Sequence, residues 1–103
     1  MPKIAVEVHH HLERIEAIHR MEKGFFKGFE ERLGPDNMVK YQIEWNQGVC
    51  AFRIKAVDRP LVGVITVLGR TVRLVADMPT EAGIYALKFT KAFRDTVPTL
   101  LGN

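Results

Sequence analysis

The sequence predicts an α+β domain in the order β-α-β-β-β-β-α, an antiparallel sheet with two helices packed on one face. Two different periodicities carry that reading. Apolar residues recur at every second position at Ile4, Val6 and Val8 and again through the middle of the chain, as half-buried strands require. They recur every three or four positions over residues 12–33 and 81–97, as amphipathic helices require. The 103 residues make one domain, 1–103, and are too few for two ordinary cores.

Each element has its own warrant. In the first strand Lys3, Ala5 and Glu7 alternate with the apolar positions. In the first helix Leu12, Ile15, Ile18, Met21, Phe25, Phe29 and Leu33 share one face, and Gly34-Pro35-Asp36-Asn37 ends it. Val39, Tyr41, Ile43 and Trp45 then alternate with Lys40, Gln42 and Glu44. Asn46-Gln47-Gly48 forms a hairpin connection that needs glycine at positive φ, leading into Cys50, Phe52, Ile54 and Ala56. Asp58-Arg59-Pro60 turns the chain into a strand over 61–68, and Leu68-Gly69-Arg70 turns it into Val72, Leu74, Ala76 and Met78. Pro79 stops the sheet and Thr80 caps the closing helix. That helix turns Ala82, Tyr85, Ala86, Phe89, Ala92, Phe93, Thr96 and Leu100 to the core, and Pro98 is expected to end or kink it.

Composition narrows the function classes. Lys plus Arg number 15 against 12 Asp plus Glu, and a net charge of +3 over a whole domain is no nucleic-acid stripe. A 47% hydrophobic content and a single cysteine exclude intrinsic disorder and a disulfide scaffold. No window is apolar for the roughly 20 residues that span a bilayer. Residues 1–11 include Glu7 and no long apolar run, so no secretory signal is expected and the cytoplasm is the expected location.

The residues that could carry chemistry each have a simpler reading. His9, His10 and His11 could offer imidazoles to a metal, but neither a Cys pair nor a carboxylate stands at ligand spacing, which leaves a cap and surface role. Cys50 sits mid-strand among apolar residues and reads as a buried small hydrophobe rather than a nucleophile. Paired carboxylates such as Glu30-Glu31 fall on the polar helix face, and the sequence carries no phosphate loop, nucleotide fingerprint or Ser-His-Asp arrangement. Neither catalysis nor a cofactor or metal is expected.

Two surfaces remain as candidates. Gly24 and Gly28 each cost about 1 kcal/mol inside a helix relative to alanine. With Ala17 and Met21 they form a thin stripe, either an apolar groove or a close-packing seam against Ala82, Ala86 and Ala92 of the second helix. Val62, Val64 and Val75 are candidates for the outer sheet face beside Ala51, Arg53, Lys40 and Arg73, as an oligomer interface or ordinary β-branched filling.

Several stretches also follow one family pattern in order. They are Lys3-Ile4 with His10-His11-Leu12, Trp45-Asn46-Gln47-Gly48, Phe52, Gly63-Val64-Ile65-Thr66-Val67, and Val72-Arg73-Leu74-Val75-Ala76-Asp77-Met78-Pro79. With them the chain resembles the polyhydroxyalkanoic acid system family, small bacterial proteins associated with storage-granule genes. Gly24, Gly28 and Pro98 do not align with that pattern. The resemblance implies association with polyhydroxyalkanoate granules or granule proteins, and it supplies no catalytic residues. The alternatives are a small protein that binds an apolar acyl chain in a reduced helix-grip fold, and a homodimer joined through the outer sheet.

Overall fold

The structure, a computed structural model, describes residues 3–33, 40–56, 59–77 and 83–102. It has the predicted order: β1 (Lys3–His9), α1 (Arg14–Leu33), β2 (Lys40–Asn46), β3 (Val49–Ala56), β4 (Arg59–Val67), β5 (Thr71–Asp77) and α2 (Gly83–Leu101). All neighbouring strands pair antiparallel, in the spatial order β1-β5-β4-β3-β2. β1 and β2 therefore occupy opposite edges, and α1 crosses one face of the sheet to connect them. The expected helix end at Gly34-Pro35-Asp36-Asn37 lies outside the described residues, as do Val39, Asp58, Met78, Pro79, Thr80 and Ala82.

The hairpin between β2 and β3 forms as its sequence requires. Gln47 and Gly48 have φ of 50° and 82°, the two left-handed residues that match the twist of paired strands. A β-carbon on Gly48 would stand 2.8 Å from Ile18 Cδ1, because the start of α1 lies on this turn.

Register places one continuous apolar layer on the helix side. Across the strands run the rows Ile4–Ala76–Gly63–Phe52–Ile43 and Val6–Leu74–Ile65–Cys50–Trp45. α1 and α2 lie antiparallel over this layer, and all six phenylalanines of the chain meet there. Phe25 stacks on Phe29, Phe29 meets Phe89 edge-on at 4.8 Å, and Phe52 from the sheet contacts Phe26 and Phe89 at 6.0 and 6.2 Å. Gly63 makes room for this. A β-carbon there would lie 2.6 Å from Phe52 Cζ and 2.7 Å from the Val75 carbonyl oxygen.

Three expectations need correction. Ile15, placed on the buried stripe, is 79% exposed, while Phe26 is buried. The buried arc is centred on Ala17, Met21 and Phe25 and is wide enough to take in Phe26. Pro98 lies inside α2, which continues to Leu101. Val97 and Leu101, both buried, carry the apolar face on either side of the proline, and the Gly102 N–H closes the end on the Pro98 carbonyl at φ 77°. Arg59 and Pro60, read as a turn, already belong to β4.

Phe52→Ala should lower unfolding free energy by about 3–5 kcal/mol in denaturant melts. Gly63→Ala should also destabilise, by about 1–3 kcal/mol, because the Val75 carbonyl cannot move aside as a side chain could.

Candidate functional site

The histidine run sits where β1 hands over to α1. His9 and His11 are exposed and His10 is buried, so the surface reading fails for the middle residue. The His10 main-chain N–H donates to the Arg70 carbonyl at 2.8 Å. Its ring uses both nitrogens: Nε2 lies 2.9 Å from the Leu68 carbonyl oxygen and Nδ1 accepts from the Leu12 N–H at 3.2 Å. A carbonyl only accepts and an amide N–H only donates, which fixes the neutral ring with its proton on Nε2. His10 is thus a strut between the β1–α1 junction and the β4–β5 turn. Arg14 adds a second strut, donating from Nε to the Val67 carbonyl at 3.0 Å and from a terminal nitrogen to the Gln47 carbonyl at 2.9 Å. Among the described residues no group of three or more His, Cys, Asp or Glu is arranged to hold a metal ion.

The stripe of Ala17, Met21, Gly24 and Gly28 lies under α2. Ala17 and Met21 are fully buried. A β-carbon on Gly24 would meet Leu100 Cδ2 at 3.1 Å, and one on Gly28 would meet Thr96 Cγ2 at 3.2 Å. Among the described residues the helices close on the stripe through Thr96 and Leu100. Of the alanines expected there, Ala92 is buried in the core, and the Ala82 residue and the Ala86 side chain are outside the described residues. Polar contacts flank the seam: Arg20 donates to the Leu100 carbonyl at 3.3 Å and Arg32 to Thr99 Oγ1 at 3.2 Å.

An apolar surface that the sequence pattern did not single out lies on the opposite flank of α1. Here α1 sets Ile18 against Gly48 at the hairpin and Phe26 against Phe52 of β3. β2 lies beyond β3 at the sheet edge, outside the cover of the helices. Ile43, in the same row as Phe52, is consequently 40% exposed, although its row is the core row elsewhere. Trp45 packs half-buried against the core, and its Nε1–H is shielded from solvent with no hydrogen-bond partner among the described residues. Strand alternation assigns both residues to the inner face, but only the strand order shows that β2 is an edge.

Cys50 is buried beneath this flank and paired in register with Trp45. Burial pushes its thiol up from the usual 9.0 to about 11, with the Glu22 carboxylate adding to the rise and a backbone contact at Glu44 opposing it. A thiol held protonated is a poor nucleophile.

On the outer face, Val62, Val64 and Val75 are exposed together with Ala51, Arg53 and Arg73. The Lys40 side chain lies outside the described residues. An open depression of about 370 Å³ crosses this face over β2, β3 and β4, with Glu44, Ala51, Arg53, Val62 and Val64 in its lining.

No family model matches the sequence, and no curated protein matches it. Among solved structures the chain is similar to the KanY protein, known from solution NMR, at 13% identity and a TM-score of 0.43 over 99% of this chain and 94% of that one. It is also similar to Ara h 8.0201, known from a crystal structure, at 10% identity and a TM-score of 0.43 over 99% of both chains.

Two measurements probe the helix seam and the thiol. Gly24→Ala should be neutral or stabilising by up to about 1 kcal/mol, since Leu100 is half-buried and its methyl can swing away. Gly28→Ala should destabilise, since Thr96 is buried and held by its Oγ1 donating to the Ala92 carbonyl at 2.6 Å. Thermal melts should show a lowered midpoint for Gly28→Ala and no lowering for Gly24→Ala. Cys50 should resist iodoacetamide at pH 8 until the chain unfolds. The folded chain keeps this proton to about pH 11 while the unfolded chain releases it near 9.0, so stability should fall as pH rises across that window.

Proposed function

We propose that this protein is a non-enzymatic binder of apolar acyl chains, which it holds on the flank between α1 and the edge strand β2. The observation that carries this is Trp45. Its indole packs half-buried against the core beside the exposed Ile43, while its N–H is cut off from water with no acceptor among the described residues. A buried donor left unsatisfied costs about 1–3 kcal/mol, and a carboxylate or ester carbonyl admitted by an outward turn of the indole would recover it while the alkyl chain covers Ile43.

The same chemistry suits a polyhydroxyalkanoate, a polyester that offers alkyl surface and carbonyl acceptors together. The family resemblance supports that source, and with it a cytoplasmic, granule-associated location and contact with the granule surface or its proteins. The apolar faces of α1 and α2 are turned inward, so a granule would be met by this flank and not by a helix face. No described helix is long and apolar enough to cross a membrane.

Trp45 is the only tryptophan and reports on its own site. Titration with dodecanoate should shift its emission with saturation in the micromolar range. Ile43→Glu should weaken that binding at least tenfold without moving the melting temperature. Emission that stays unchanged up to millimolar dodecanoate would overturn the acyl-chain reading. Purified polymer granules should pull the protein into the pellet, and a protein that stays in the supernatant while still binding dodecanoate would remove the granule and keep the acyl chain.

A further inference from the structure

The outer face of the sheet carries an apolar band with charges on both sides. Register sets three rows across it. The central row is Ala5–Val75–Val64–Ala51, ending at Glu44 on the β2 edge. One strand step away on one side run Lys3, Asp77, Val62 and Arg53; on the other side run Glu7, Arg73, Thr66 and Val49. Val49, Val62, Val64 and Val75 are 39%, 48%, 41% and 37% exposed, and none has a counterpart from the helices, which lie on the opposite face. Four exposed valines gathered around one row form a patch of the kind that marks an interface.

We propose that a second copy of this chain covers this face, sheet against sheet, about a two-fold axis that runs across the strands along the central row. The charge pattern selects this occupant and this axis. Rotation about that axis lays each flanking row over the opposite flanking row of the partner. Lys3 then stands over the position of Glu7, and Asp77 over that of Arg73, each twice by symmetry. Arg73 already donates from Nε to Glu7 at 2.9 Å within the chain, so each end of the β1–β5 edge closes a four-charge cluster in which signs alternate. Val75, Val64 and Ala51 fall on their own copies, and Val62 falls on Thr66. Glu44 meets its own copy only at the rim, where water screens the charges.

The size of the face suffices. Five strands about 4.8 Å apart and seven residues of about 3.3 Å rise span roughly 24 by 23 Å, or about 550 Å² in projection. Side-chain relief brings the accessible area towards the ~800 Å² per partner of a standard interface. Sheets that pack in this way lie about 10 Å apart with their strands within about 30° of alignment. The face is separate from the β2 flank proposed for acyl chains, so the two ideas stand or fall apart.

Sedimentation equilibrium from 1 to 200 μM should give the mass of a dimer for the wild-type chain. Val64→Glu should give a monomer with an unchanged far-UV spectrum, while Leu87→Glu, on the exposed side of α2, should leave the dimer intact. Lys3→Glu sets a carboxylate over the partner's Glu7 and should raise the dimer Kd at least tenfold. Val64→Cys should cross-link to its own copy with a bis-maleimide of about 10 Å span, while the buried native Cys50 stays unreacted. A wild-type monomer at 200 μM, or a Val64→Glu chain that remains dimeric, would overturn the proposal. A dimer whose Kd is unmoved by Lys3→Glu would overturn this axis.

Discussion

The position of α1 is the constraint on which the other features depend. β1 and β2 are consecutive in the chain but lie at opposite edges of the sheet, so the helix that links them must cross the face. Its starting point is fixed by polar bonds and not by apolar contact alone. His10 ties the approach to the β4–β5 turn, and Arg14 ties the first helical turn to the ends of β4 and of the β2–β3 hairpin. From there the helix axis has little choice. Ile18 rests on the hairpin glycine, Phe26 and Phe29 reach the Phe52 and Phe89 rings, and α2 docks against the remaining side through Thr96 and Leu100. Once α1 is placed, the inner face of β3, β4 and β5 is covered and Ile43 on β2 is left exposed.

Much of this was legible in the sequence, and the reasons are physical. Alternation has a period of two whatever the strand order, so each strand and its inward face could be read locally. The hairpin at Gln47-Gly48 could be read because glycine there solves a local backbone problem. What could not be read is any property of the assembled sheet. Ile43 and Phe52 carry the same pattern, yet one is a half-open edge residue and the other a core residue, because their strands differ in place and not in composition. His10 illustrates the same limit. Three consecutive histidines look alike in sequence, and only the turn at Leu68–Arg70 singles out the middle one.

The glycine stripe is met by residues that the alanine spacing of the second helix did not point to. Small residues on α1 do let α2 approach closely. The residues that fill the space are a threonine and a leucine, since an antiparallel helix pair sets Gly28 against Thr96 and Gly24 against Leu100. Pro98 lies between those two contacts and is carried within the helix because the residues beyond it are themselves part of the seam.

The closure of the sheet by its first strand has a consequence for how the chain acquires its structure. Lys3 pairs with Asp77 and His9 with Thr71, so β1 has no partner until β5 has been made. During synthesis the phenylalanine face of α1 has only the later strands and α2 to cover it. Phe52 of β3 can cover part of that face early, and Phe89 and Phe93 of α2 complete the cover last. Sheet topologies of such high contact order fold slowly and expose apolar surface while they do so. The polar struts at His10 and Arg14 cannot shorten that interval, because their acceptors at Gln47, Val67 and Leu68 also arrive late. The order in which the strands emerge thus sets how long apolar surface stays exposed before the fold closes.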